Sequence, residues 1–313
     1  MAFKRVPQVF NSSLKEVTIG TGDSAVTIGG ENVLPLYGFD GPVKNAPKVG
    51  IELSDLGPNK SLPGIAAFYE GLDTIPAMAK RACEAPGASF FSLTLESSDP
   101  AGEDRSVDEC AALCKEVANA VNLPLVVQGS GNAEKDARLF EKIAGALEGK
   151  NVLLMSAKEE NYKGVAVAAV TAYNQKIGAE SSVDINLAKQ LNVLITQLGI
   201  SGENVVMNLG ISAAGYGFEY IASTIDRVRI AALSQNDAAL QMPVITPVAH
   251  DAWSVKESLV SEEDFPDWGP LERRGISMEI CTAAALIAAG SDAVILLHPE
   301  SVAAISKMVA AFV

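Results

Sequence analysis

The chain has 313 residues, 24 of them basic and 38 acidic, for a net charge of −14, and 48% of it is hydrophobic. That balance excludes a disordered polymer, which combines low hydrophobicity with high charge, and the excess of acid excludes a broad phosphate-binding surface for nucleic acid. No apolar run approaches the roughly 18–20 residues needed to cross a bilayer, and the opening MAFKRVPQVFNSS has two basic residues but lacks the apolar stretch of a secretory signal, so a soluble cytoplasmic protein with no membrane partner is expected.

The first 45 residues precede the repeating part of the chain. Within them KEVTIG and SAVTIGG flank Thr21-Gly22-Asp23, the pattern of a β-hairpin placed to plug a barrel's N-terminal mouth. After them, apolar β-branched runs alternate with segments of helical period. The runs are KVGIELS (48–54), SFFSLTL (89–95), LPLVVQGS (123–130), NVLLMSA (151–157), KIGAESS (176–182), NVVMNLG (204–210), MPVITPV (242–248) and DAVILLHP (292–299). Their continuous apolar character fits strands buried on both faces of a parallel sheet. Helices are predicted near 72–84, 106–121, 133–147, 163–173, 184–198, 218–234, 273–289 and 300–313. Ser106 and Glu109 have capping-box spacing, and Gly149, Gly199 and Gly290 stand where helices end.

Eight βα repeats in about 265 residues specify an α/β fold, a closed (β/α)8 TIM barrel, over an open doubly wound sheet. An open sheet would carry a Gly-rich dinucleotide turn after its first strand, and LSDLGPNKSLPG contains none. The expected organisation is an N-terminal extension with a hairpin over 1–45 and a barrel over 46–313.

The four cysteines form no C-x-x-C. Cys110 and Cys114 share a helix face, and buried structural thiols are the expectation for all four, Cys83 and Cys281 included. In a barrel the chemistry belongs to the loops after the strands. Gly129-Ser-Gly131 lacks the third glycine of a dinucleotide fingerprint and reads as a tight turn. The stretch 210–217 has P-loop-like glycines, but Tyr216 and Gly217 replace the Lys-Ser/Thr pair, so it reads either as close backbone approach to a large flat ligand or partner or as a compact loop. His250 and His298 are too few for a three-histidine metal site, and no G-x-S-x-G elbow is present. The His250-Asp251-Ala-Trp253 loop reads either as recognition surface or as packing. No catalytic constellation emerges, which suggests a platform that covers something.

At these residues the chain resembles the small subunit of the corrinoid/iron–sulfur protein of the anaerobic acetyl-CoA pathway. The resemblance spans the barrel and is carried by EENY (159–162), DIN with KQLN (184–186, 189–192), GYGFEY (215–220), DAW (251–253), PDWG (266–269) and LLHPE (296–300). It implies a partner: a large subunit that holds the iron–sulfur cluster and binds a cobamide (corrinoid) shared between the two chains. It implies methyl transfer from a methyltetrahydrofolate-dependent methyltransferase through cobalt to acetyl-CoA synthase. This chain has no Asp-x-His-x-x-Gly, since Leu296 and Val248 stand two residues before its histidines. The implied role is therefore a lid without catalytic or metal-ligating residues of its own. The residues expected against the corrin are Ser130, Asn161, Asn186, Gly210, Gly215, Tyr216, His250 and Asp251. The competing expectation is a pterin-binding barrel methyltransferase that grips methyltetrahydrofolate through Asp184, Asn186 and Asn208, a choice that fold class does not decide.

Overall fold

A computed structural model describes residues 6–313; the start of the MAFKRVPQVFNSS segment lies outside the described residues. A hairpin of β1 (Glu16–Ile19) and β2 (Val26–Gly29) precedes eight parallel strands. These are β3 (Lys48–Ser54), β4 (Phe90–Thr94), β5 (Leu125–Gln128), β6 (Leu153–Ala157), β7 (Lys176–Glu180), β8 (Val205–Asn208), β9 (Ile245–Pro247) and β10 (Ala293–Leu296). Consecutive strands pair from β3 to β8, and β10 lies between β9 and β3. The ring closes where Met207 N–H donates to the Pro243 carbonyl at 2.7 Å and Met207 pairs with Val244. All eight predicted runs are strands; the first spans 48–54 as predicted and the other seven are shortened.

The outer layer contains α1 (Pro63–Phe68), α2 (Ile75–Ala82), α3 (Val107–Ala120), α4 (Ala133–Ala146) and α5 (Tyr162–Ala166), the last widening to a π-helix over Val167–Ala172. It continues with α6 (Ile185–Gln197), α7 (Phe218–Ser234), α8 (Val248–Ser254), α9 (Lys256–Leu259), α10 (Leu271–Ala289) and α11 (Pro299–Phe312). Most starts are locally encoded. Ser106 accepts from Glu109 N–H while the Glu109 carboxylate accepts from Ser106 N–H at 3.2 Å, a complete capping box on α3. Ser106→Ala is expected to cost about 1 kcal/mol, read as a lower urea midpoint with an unchanged slope.

The predicted segment 249–253 was expected as a loop and is instead helix α8. Val248, Ala249 and Ala252 are buried along one side of it, so packing against the barrel makes this short stretch helical. The helices α1 and α9 were not predicted. The hairpin sits where the sequence placed it. Val17, Ile19 and Ile28 are fully buried against Phe90, Val126, Leu153, Val206, Ile245 and Ala293, the inward side chains at the lower ends of the strands. They seal that end, which leaves the C-terminal mouth as the barrel's open face.

All four cysteines are free, and burial divides them. Cys110 and Cys114 are buried as expected, Cys83 is half-buried, and Cys281 is exposed, a correction to the buried reading. Buried positions on α10 include Gly275, Ile276, Glu279, Thr282, Ala283 and Leu286, and Cys281 falls on the opposite, outward stripe. No described helix is long and apolar enough to cross a membrane.

Candidate functional site at the barrel mouth

The strands share a feature at their upper ends. Each of six successive strands places a polar side chain near its C-terminus: Glu52, Thr94, Gln128, Ser156, Glu180 and Asn208. Together they floor a mouth cavity of about 550 Å³. Gln128 Nε2 donates to Glu52 Oε2 at 2.5 Å, to Ser92 Oγ at 3.0 Å and to Thr94 Oγ1 at 3.1 Å. Asn208 Nδ2 reaches Ser156 Oγ and Glu180 Oε2, both at 3.4 Å. Glu52 is nearly buried, and burial, reinforced by the Glu96 charge, pushes its pKa up to about 7.

Above this floor stands a rim. Gly129, Ser130 and Gly131 turn over the Asp136 carboxylate, which accepts from Ser130 N–H (2.9 Å), Ser130 Oγ–H (2.9 Å) and Gly131 N–H (3.0 Å). A Cβ at Gly129 would sit 2.6 Å from that carboxylate, so the turn requires glycine there. Gly210 lies across the mouth at φ +85°, its N–H donating to Asn208 Oδ1 at 3.2 Å. Lys158 Nζ spans the rim to Glu180 Oε1 (3.3 Å) and the Gly131 carbonyl (3.2 Å). His250 and Asp251 complete it from the first turn of α8. The His250 side chain is 81% exposed, and the Asp251 carboxylate 3.8 Å away holds its pKa above the usual imidazole range.

The placement of α8 depends on Trp253 beneath it. Its ring fills the space a side chain at Gly275 would need, since a Cβ there would lie 2.2 Å away, and it stacks 6.1 Å from His298. Packing is thus what Trp253 does. His298 is committed internally as well. Its Nδ1 accepts from Glu300 N–H at 3.1 Å to cap α11, and its Nε2 meets Glu272 at 3.3 Å. Burial lowers its pKa and so favours the neutral ring, and with Nδ1 accepting, Nε2 is the nitrogen placed to donate to Glu272.

The structure brings Ser130, Gly210, His250 and Asp251 together at the mouth. It does not bring the other four expected residues there. Asn161 is buried within its loop, accepting from Lys158 N–H at 2.8 Å and donating to the Ala133 carbonyl at 3.0 Å. Asn186 is on the outer flank between α6 and α7, beside Lys189 and Arg227. The 210–217 loop turns away after Ile211: Tyr216 Oη donates to Glu257 at 2.7 Å, and neither Tyr216 nor the exposed Gly215 lines the mouth. The pterin trio is also divided. Asp184 caps α6 by accepting from Asn186 and Leu187 N–H groups, and of the three only Asn208 reaches the mouth. Glu52, Gln128 and Glu180 were missed, although each is the one carboxylate or amide near the end of an otherwise largely apolar run.

No group of three or more His, Cys, Asp or Glu side chains arranged to hold a metal ion occurs among the described residues. A family model described as CO dehydrogenase/acetyl-CoA synthase delta subunit matches residues 16–310. The acetyl-CoA decarbonylase/synthase complex subunit delta of Archaeoglobus fulgidus is 32% identical, with 98% of this chain and 70% of that protein aligned. The corresponding delta subunit of Methanothermobacter thermautotrophicus is 33% identical over 94% of this chain and 74% of its own length. Among solved structures, dihydropteroate synthase of Xanthomonas albilineans with 4-aminobenzoic acid superposes with a TM-score of 0.57 at 11% identity, covering 95% of this chain and 98% of that one. The 7,8-dihydropteroate synthase of Vibrio fischeri gives 0.55 at 12% identity, covering 94% and 97%. At such identities the likeness is one of fold, the TIM barrel.

Proposed function

Because the chain belongs to the family of CO dehydrogenase/acetyl-CoA synthase delta subunits, we propose that its barrel mouth covers the cobamide of a methyl-carrying complex. In this reading a large partner subunit holds the cobamide and an iron–sulfur cluster. A methyltetrahydrofolate-dependent methyltransferase supplies the methyl group, acetyl-CoA synthase receives it, and the complex works in the cytoplasm. The observation that carries the reading is the mouth itself: an open cavity of about 550 Å³ with a polar floor and a rim kept low by glycine.

The residues present fit such a group. A corrin is broad, apolar on its faces and fringed with carboxamides. Gly129, Gly131 and Gly210 put backbone where side chains would stand off a flat ring, and a Cβ at Gly131 would meet open space. Glu96, Asp99, Glu180 and Asp251 offer carboxylate acceptors to amide N–H donors around the edge. When bound, the cobamide supplies a metal centre that takes up and hands on a methyl group. This chain excludes water from it and presents His250 as the one imidazole among the described residues lining the mouth.

Ile211→Trp, which places an indole in the mouth, and His250→Ala, which removes a rim group, test the reading in the purified complex. Ile211→Trp is expected to lower retention of the corrinoid about tenfold, or by about 1.4 kcal/mol, and both variants to shift its visible spectrum. Unchanged retention and spectra in both variants exclude a mouth-covering role.

A further inference from the structure

Beside the mouth, a second cavity of about 290 Å³ lies between the loops after β6 and β7 and the flank of α6. Lys158 and Glu180 line both, so the two are neighbours across the Lys158–Glu180 ion pair at the rim. One wall is apolar: Leu187, Leu191 and Leu194, spaced four and three apart, share a face of α6. The facing wall carries Glu159 and Glu160. Ser181 also lines the cavity; it is 6% exposed, and its hydroxyl has no hydrogen-bond partner. A buried polar group left so is unfavourable.

These features select a chemistry. Lys158 is already engaged by Glu180 and the Gly131 carbonyl, so among the described residues the cavity has surplus carboxylates and no spare cation. An anion is repelled there, and an apolar group leaves the Ser181 hydroxyl unmet. Gln190 Nε2 donates to Glu159 Oε1 at 3.5 Å and leaves the other carboxylate oxygens as acceptors, which a primary carboxamide on a short alkyl stem matches. Its two N–H donors face carboxylates, its carbonyl accepts from the hydroxyl after a rotation of χ1, and its methylenes lie on the leucines.

We infer that this side cavity takes one carboxamide arm of the cobamide and so fixes the rotation of the ring over the mouth. The inference rests on the reading that the mouth covers the corrin. Its test uses the complex, stripped of corrinoid and refilled with cobinamide or with isomers in which a single carboxamide arm is hydrolysed to a carboxylate. Retention is followed by visible absorption. One isomer is expected to be held at least tenfold less well than the rest, because its carboxylate meets Glu159, Glu160 and Glu180. The double variant Glu159→Gln, Glu160→Gln is expected to restore that isomer towards the others. Equal retention of all isomers, or a deficit the double variant leaves intact, overturns the inference. Should cobinamide itself be indifferent to Ile211→Trp in the mouth, the reading of the mouth is what fails.

Discussion

Arg229→Met is expected to cost about 3–5 kcal/mol of stability, the range for breaking a buried ion pair from one side. Arg229 on α7 and Asp292 at the foot of β10 are 5% and 8% exposed, with Nη2 and Oδ1 2.8 Å apart. The same Nη2 donates to the Gly290 carbonyl, and Asp292 Oδ2 accepts from Val244 N–H at 2.7 Å. One pair therefore joins an outer helix to β10 and to the residue just before β9, next to where the ring closes. Removing the guanidinium leaves Asp292 as a buried charge facing Glu31, whose own pKa is already raised to about 7 by burial and by Asp292. Adding Asp292→Asn to Arg229→Met removes that charge and is expected to recover part of the loss, because an uncompensated ion costs more than a lost pair. Guanidinium unfolding of both variants reads the outcome. A single variant within about 1 kcal/mol of the parent, inside the range of surface pairs, would mean the pair is solvated.

The barrel was legible because its strands are buried on both faces, which forces runs such as Leu153-Leu154-Met155 that helices seldom need. The hairpin was legible because two β-rich runs, KEVTIG and SAVTIGG, flank the Thr21-Gly22-Asp23 turn. The helices α1, α8 and α9 were not, since four to seven residues are too few to show a period of 3.6. The mouth was half legible. Ser130, Gly210, His250 and Asp251 follow strand ends and do line it. Asn161, Asn186 and Tyr216 have the same position and polarity in sequence, but they hydrogen-bond within their own loop, face the outer flank, or tie α7 to α9. Whether a loop side chain points inward depends on backbone direction, which leaves no trace in residue type. The strand-end polar residues do leave one. Glu52, Gln128 and Glu180 break otherwise apolar runs at the same height, and a period-2 reading of each strand places them inside the ring.

Glu52→Gln is expected to stabilise the protein by about 3 kcal/mol at pH 8, taking 1.36 kcal/mol per pKa unit, and to change it little near pH 4.5. The Glu52 pKa is about 7 in the folded chain, against an ordinary value of 4.5. Between these values the folded protein keeps a proton on Glu52 that the unfolded chain has released, so stability falls as pH rises through that window. Above about pH 7 the loss is complete, because both states are ionised. Glutamine keeps the shape and can still accept from Gln128 Nε2, so it removes the charge without emptying the floor of the mouth. Urea unfolding at pH 5 and pH 8 measures the effect, and a stability difference that is the same at both values would show that Glu52 does not titrate there. The consequence reaches the proposed function. Covering the mouth strips the remaining water from Glu52 and pushes its pKa further in the same direction. Closure over a broad neutral ligand then takes up protons near neutral pH and strengthens as pH falls, and Glu52→Gln flattens that dependence.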